Sequence, residues 1–208
     1  MKIVGIDLAG SEARESALAI LSNSLYARTM LLYTDGEIVS KVMEVKPNMI
    51  AIDAPLGLPK GRCCLEAGCS CAKFGVIREA ERELLRIGIK VFSCGLPSMK
   101  KLTLRGIELR KRLADMKLNV VETYPGAVQD LLRIPRKKHG LRKLQRGLIR
   151  LGIKGDVSRE DITHHELDAI TSAFAGKLLL EGKARGIGDP VEQQIVIPIG
   201  SRHRADLG

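Results

Sequence analysis

The residues best suited to chemistry are carboxylates that end apolar segments. Asp7 falls near the end of "KIVGIDLA", Asp53 near the end of "NMIAIDAP" and Glu122 near the end of "LNVVETYP". An ionised carboxylate in a strand covered on both faces costs roughly several kcal/mol unless something neutralises it. A turn cap or a salt bridge would explain any one of these acids. Three strand-like segments that all end on an acid favour a shared site.

A predicted helix adds a fourth acid to this set. In "SREDITHHELDAITSAFAGKLLLEG", Ser158 and Asp161 form a capping arrangement, and Asp161, His165 and Asp168 follow at i, i+4 and i+7 on one face. His165 is either a proton-transfer group or an ordinary packed histidine. Clustered carboxylates raise one another's pKa, which bound Mg²⁺ or Mn²⁺ would relieve. Paired ions can clamp a phosphodiester, so this pattern predicts metal-dependent cleavage.

A basic segment carries nearly all of the positive charge of the chain. The formal net charge is +10 over 208 residues, and residues 131–155 contain no Asp or Glu. Its cations are Arg133, Arg136, Lys137, Lys138, Arg142, Lys143, Arg146, Arg150 and Lys154. Such a segment is either a solvated helix face or a surface that binds the phosphate backbone of DNA or RNA. We expect nucleic acid as the partner.

Cysteines cluster in the segment "GRCCLEAGCSCAK". Cys63, Cys64, Cys69 and Cys71 could hold structural zinc or an iron–sulfur cluster, form disulfides, or remain free thiols. The spacing lacks the two C-x₂-C knuckles of a zinc ribbon, so the alternatives stay open. Arg78, downstream of the cluster, could steady a phosphate through its two-pronged guanidinium group.

The order of elements indicates how these residues are positioned. Three strands with tight turns predict an antiparallel meander, followed by a helix, a strand, two helices, a fifth strand and further helices. This order predicts an α/β fold with a mixed sheet and helices on both faces. "QQIVIPIG" is predicted to add an edge strand. We expect one domain over residues 1–208, with an inserted Cys-containing loop and helices at about 57–118.

Several classes of protein are disfavoured by composition. Hydrophobic residues make up 45% of the chain, which favours a packed core over disorder. No segment approaches the roughly 20 apolar residues of a membrane span, and no signal peptide is visible. We therefore expect a cytoplasmic protein that does not bind a membrane.

Four motifs together resemble a known family. "VGIDLAGS", "AIDAPLGLP", "VETYPGA" and "HELDAITSAFAG" are similar to the signature segments of the domain of unknown function 429 family, predicted nucleases of the ribonuclease H-like fold. The resemblance extends over nearly the whole chain and implies a five-stranded core. It implies metal binding by Asp7, Asp53 and Asp168, with Glu122 as a fourth catalytic carboxylate.

Two other functions compete with a nuclease. A nucleic-acid-binding module could keep the fold without turnover. "GIDLAG" is also similar to the first strand of sugar kinases and actin-like ATPases, which would make the chain a nucleotide-binding phosphotransferase or hydrolase. That superfamily uses two such domains around a cleft, and a glycine motif alone is a weak signal.

Overall fold

The computed structural model describes residues 1–199, whose strands form one mixed sheet of eight strands. The strands are β1 (Lys2–Asp7), β2 (Ser16–Ser22), β3 (Tyr26–Leu32), β4 (Met49–Asp53), β5 (Val120–Thr123), β6 (Lys154–Gly155), β7 (Ala184–Ile187) and β8 (Ile195–Pro198). The helices are α1 (Asp35–Val45), α2 (Glu79–Arg86), α3 (Pro97–Asp115), α4 (Pro125–Leu131), α5 (Leu141–Arg150) and α6 (His164–Leu180).

The sheet has the order β6-β3-β2-β1-β4-β5-β8-β7. The predicted antiparallel meander of β1, β2 and β3 is confirmed, and β4 and β5 continue the sheet in parallel with β1. The prediction of five strands was too low. It missed β6 and β7, which are too short to show a periodic pattern. It also placed β8 at an edge, whereas β8 lies between β5 and β7.

Two apolar cores cover the two faces of the sheet. On one face, Ile3 of β1 and Ala19 of β2 belong to a core with Leu148 of α5 and Ile170 of α6. On the other face, the alternate side chains of the same strands pack against α1 and α3. Because successive side chains of a strand point to opposite faces, each strand contributes to both cores. The predicted placement of helices on both faces is confirmed.

The start of α6 differs from the prediction. Thr163 is its N-cap and accepts a hydrogen bond from the backbone N–H of Glu166, while the Glu166 side chain accepts one from the backbone N–H of Thr163. This reciprocal pair makes a complete capping box. Asp161 therefore lies before the helix and does not share a helical face with His165 and Asp168. No helix within residues 1–199 is long and apolar enough to cross a bilayer.

Candidate metal site and basic surface

Two of the predicted acids are neighbours across the sheet. β1 and β4 pair in parallel, and the pairing places Asp7 opposite Asp53 at the carboxyl ends of both strands. Register partners in parallel strands project from the same face of the sheet. Both carboxylates therefore lie on the face that α6 covers.

A glycine allows α6 to approach this pair closely. Gly5 lies two residues before Asp7, and a Cβ atom added there would sit 2.0 Å from the carbonyl oxygen of Ala169 and 2.4 Å from the backbone nitrogen of Ala173. Only glycine permits this contact between strand and helix. The contact places Asp168, next to Ala169, at the same edge of the sheet.

Asp168 is held by two donors from outside the helix. Gln129 of α4 donates a hydrogen bond of 2.9 Å to Oδ1, and Lys137 donates one of 2.8 Å to Oδ2. Burial raises the pKa of Asp168, and the charge and hydrogen bond of Lys137 oppose that rise. Lys137, predicted as a contact to nucleic acid, thus has its ammonium group at the acidic site, and its role toward nucleic acid stays a prediction.

Asp53 is the least satisfied acid of the site. Its pKa is raised well above the usual range by burial, by Asp7 and by Asp168. Within residues 1–199, no side chain or backbone group donates a hydrogen bond to its carboxylate. Thr123 is its register partner on β5, and the buried Thr123 hydroxyl also lacks a partner among the described residues. The carboxylate of Asp53 and the hydroxyl of Thr123 thus offer unused oxygen ligands at the carboxyl ends of β4 and β5.

His165 is the partner of Asp7. Its Nδ1 atom lies 2.7 Å from Oδ2 of Asp7, and this hydrogen bond raises the pKa of His165. The adjacent His164 behaves in the opposite way, because burial and the charge of His165 lower its pKa. Both rings lie beside the acidic site, and their centroids are 3.9 Å apart.

Glu122 lies on the opposite face of the sheet from Asp53. Its register partner is Ile52, one residue before Asp53. Arg78 donates to both carboxylate oxygens, at 2.7 and 2.5 Å, and the backbone N–H of Leu56 adds a bond of 2.7 Å. Glu122 therefore has its oxygens occupied, and it anchors the chain three residues beyond Asp53.

Arg78 is enclosed together with its acidic partners. Its side chain is 1% exposed and also donates to Glu81 at 3.1 Å. Burial alone would lower the pKa of Arg78, but Glu122 and Glu81 raise that pKa by more than burial lowers it. The guanidinium group therefore stays charged. A side chain so enclosed is placed to support the strand end and not to contact a phosphate in solvent.

The three aspartates fit hard divalent cations by chemistry, since Mg²⁺ and Mn²⁺ prefer carboxylate oxygens. Their spread sets a condition on binding. Among residues 1–199, the only group of three or more metal-ligating side chains with ligand atoms all within 4.8 Å of one another is the cysteine group. To hold one ion together, the three aspartate side chains would have to turn inward. Alternatively, they would share a pair of ions.

The basic segment divides into two parts. Arg136 pairs with Asp130 and lies over the ring of Tyr124, and Lys138 joins Lys137 in lining a depression of about 200 Å³ that reaches Asp53 and Asp168. The exposed face of α5 continues the positive surface. That face presents Arg142, Lys143, Arg146 and Arg150, while Arg133 is exposed in the loop before it.

The cations on this face of α5 have few partners. Lys143, Arg146 and Arg150 make no ion pair within the described residues, and they surround the exposed side chain of Ile149. We call these three cations the α5 stripe. Their positions at i, i+3 and i+7 place them on one face of the helix.

Other predicted residues lie away from the acidic site. Asp161 is exposed and pairs with Arg159 at 3.0 Å. The four clustered cysteines are free, so the predicted disulfide alternative is not formed.

Gln129 and Thr123 were missed by sequence reasoning. Thr123 follows Glu122 directly, and the alternation of side chains along a strand was the signal that could have identified it.

Comparison with known proteins supports the fold. The structure of Thermus thermophilus RuvC in complex with a Holliday junction substrate matches with a TM-score of 0.51 at 11% identity, covering 93% of this chain and 99% of that chain. A structure of Thermus thermophilus RuvC matches with a TM-score of 0.44 at 15% identity, covering 88% and 97%. No family model and no curated protein sequence matches the chain. The match with a TM-score of 0.51 shows that the fold is ribonuclease H-like, and membership in the domain of unknown function 429 family stays a prediction.

Proposed function

We propose that this protein is a metal-dependent nuclease that hydrolyses phosphodiester bonds of nucleic acid. The observation that carries the proposal is the meeting of Asp7, Asp53 and Asp168, from two strands and a helix, at one edge of the sheet. When bound there, Mg²⁺ or Mn²⁺ would supply charge stabilisation and an activated water. The ribonuclease H-like fold supports this function as an analogy only.

The protein residues have separate tasks in this proposal. Asp7, Asp53 and Asp168 hold the metal, and Gln129 orients Asp168. His165, hydrogen-bonded to Asp7, is placed to hold or transfer a proton. Glu122 is left out of the ligand set, because its oxygens bond to Arg78 and Leu56 on the other face of the sheet.

The basic surface gives the proposal its substrate class. Lys138 and Arg136 line the depression beside the aspartates, and the α5 stripe extends the positive surface along the helix. A polyanion that follows these cations would pass the acidic edge. Lys137 lies where the basic surface meets the aspartates. Its ammonium group can neutralise Asp168 or contact a phosphate.

A second candidate is a nucleic-acid-binding module without turnover. It is favoured by one observation: Lys137 and His165 already pair with Asp168 and Asp7, which leaves only Asp53 of the three aspartates without a hydrogen-bonded partner among residues 1–199. The nucleotide-phosphotransferase alternative is disfavoured, because that superfamily uses two such domains around a cleft. The described residues form only one sheet of this type.

Cleavage assays separate these functions. Single-stranded and duplex DNA, RNA, an RNA–DNA hybrid and a four-way DNA junction are incubated with the protein and Mg²⁺ or Mn²⁺. The junction is included because the structural neighbour was determined with one. We expect cleavage that Asp7→Asn and Asp53→Asn abolish and that the exposed control Asp115→Asn retains. Binding without cleavage would favour the second candidate, and cleavage that persists in both variants would indicate a contaminating nuclease.

A further inference from the structure

The four cysteines converge in the loop between β4 and α2, where no strand and no α-helix holds them. Their Sγ atoms all lie within 4.8 Å of one another. The Sγ atoms of Cys63 and Cys69 are 3.7 Å apart, and those of Cys64 and Cys71 are 3.8 Å apart. A disulfide bond is about 2.05 Å long, so neither pair is bonded.

These separations match the edges of a zinc–thiolate tetrahedron. With Zn–S bonds of about 2.3 Å, the edge of a regular tetrahedron is about 3.8 Å. The four cysteines that bind an iron–sulfur cluster are distributed over two or more iron atoms, which needs a wider opening between the sulfurs than one zinc ion does. We propose that Cys63, Cys64, Cys69 and Cys71 bind one structural zinc ion, a site separate from the aspartates.

The surrounding residues are suited to such a site. Arg62 is 9% exposed and donates a hydrogen bond of 2.8 Å to the carbonyl oxygen of Cys64, with longer contacts to the carbonyl oxygens of Glu66 and Cys71. Its charge lies beside the cysteines, where four thiolates and one Zn²⁺ would leave a net negative charge. Arg62 also joins the two ends of the cysteine segment.

The loop needs a cross-link because it has little core of its own. Between Asp53 and Glu79 the only helical element is a short 3₁₀ turn at Ser70–Phe74. Within residues 61–77, the buried side chains are Arg62, Leu65 and Cys71. Long loops without regular structure are uncommon in compact folds, and a bound metal can supply the missing folding free energy.

The test uses the full chain, purified without chelators, and measures its metal content. We expect about one zinc ion per chain, filling a four-thiolate shell. Cys69→Ser should lose most of the zinc on dialysis. Cys94→Ser is the matched control, because Cys94 is the fifth cysteine and lies outside the cluster. Asp53→Asn should keep its zinc, which separates this site from the proposed catalytic metal.

A spectroscopic measurement removes the dependence on variants that fold. Zinc-depleted wild-type protein is reconstituted with Co²⁺ alone, and tetrahedral thiolate coordination gives intense visible and near-ultraviolet absorption bands. Protein that lacks zinc as purified and gives no such bands would overturn the proposal. So would two disulfides found by mass spectrometry in protein kept under reducing conditions, or iron in place of zinc.

Discussion

Nδ1 of His165 lies 2.7 Å from Oδ2 of Asp7, a contact between residues 158 positions apart in the chain. It joins the last long helix to the first strand at the acidic edge. Since His164 is also beside the site, the helix presents two adjacent imidazoles in different electrostatic surroundings. Their titrations report directly on whether this edge is assembled in solution.

The two histidines should titrate on opposite sides of the usual histidine pKa of about 6.5. The hydrogen bond to Asp7 raises the pKa of His165, and burial lowers that of His164. The interaction of protonated His165 with Asp7 therefore stabilises the fold in full below about pH 6.5. This stabilisation is lost as the pH rises through the folded pKa of His165. NMR titration of metal-free protein measures both. Asp7→Asn should lower the pKa of His165; an unchanged value would refute the contact.

Asp53→Asn should stabilise the metal-free protein at neutral pH. Burial, Asp7 and Asp168 raise the pKa of Asp53, so the wild type loses stability as pH rises through that folded pKa. The variant should melt higher at pH 7–8, by about 2–4 °C for each kcal/mol relieved, and the gap should close below about pH 4. Mn²⁺ should raise the melting temperature of the wild type more than that of the variant. Asp115→Asn, at an exposed site, should follow the wild type in both measurements.

Gly5→Ala should be severely destabilising. The added methyl group would overlap the backbone of α6 at Ala169 and Ala173, and backbone cannot move aside as a flexible side chain can. We expect a loss of about 3 kcal/mol or more in the free energy of unfolding, measured by urea denaturation. Gly36→Ala is the control, because its new methyl group meets only the Thr34 hydroxyl at 3.8 Å. Equal stability of the two variants would show that α6 does not pack this closely.

The α5 stripe should determine the salt dependence of binding to nucleic acid. Replacing Lys143, Arg146 and Arg150 by Ala should reduce the slope of log K against log salt by about 0.9 for each phosphate of duplex DNA that these cations neutralise. A charge-matched control replaces the exposed Lys101, Lys111 and Arg112 on α3. Fluorescence anisotropy between low and physiological salt measures both slopes. If the α5 variant and the α3 control gave the same slope, the α5 stripe would not be the surface that binds nucleic acid.

Arg78→Met should cost about 3–5 kcal/mol of stability, because it leaves the buried Glu122 without its cation. Adding Glu122→Leu should recover part of that loss, since an apolar pair of similar volume removes the buried charge. Arg82→Met is the control, because Arg82 lies on the exposed side of α2, which begins directly after Arg78. If the double variant binds Mn²⁺ as the wild type does, Glu122 is a support of the strand end and not a ligand.

The sequence was sufficient to predict that Asp7 and Asp53 lie close together. It was not sufficient to predict which other residues lie beside them. Asp7 and Asp53 were found because each ends an apolar run, and the parallel pairing of β1 and β4 then places them side by side. Glu122 ends a similar run, yet it projects from the other face. The face of a strand residue depends on register, which no single strand encodes.

The remaining site residues depend on contacts across the chain. Gln129 lies on α4, a helix too short to show a periodic pattern, and Lys137 lies in a basic run typical of solvated surface. Both reach Asp168 from more than 30 positions away. The spacing of the cysteines gave no knuckle pattern, and only the path of the loop brings the four sulfurs together.

The position of β8 inside the sheet has a consequence for synthesis on the ribosome. β5 pairs on one side with β4 and on the other with β8, which is made some 70 residues later. Until β8 emerges, β5 keeps an open edge that can pair with a neighbouring nascent chain. The residues that complete the sheet are also the ones that protect the growing polypeptide from aggregation.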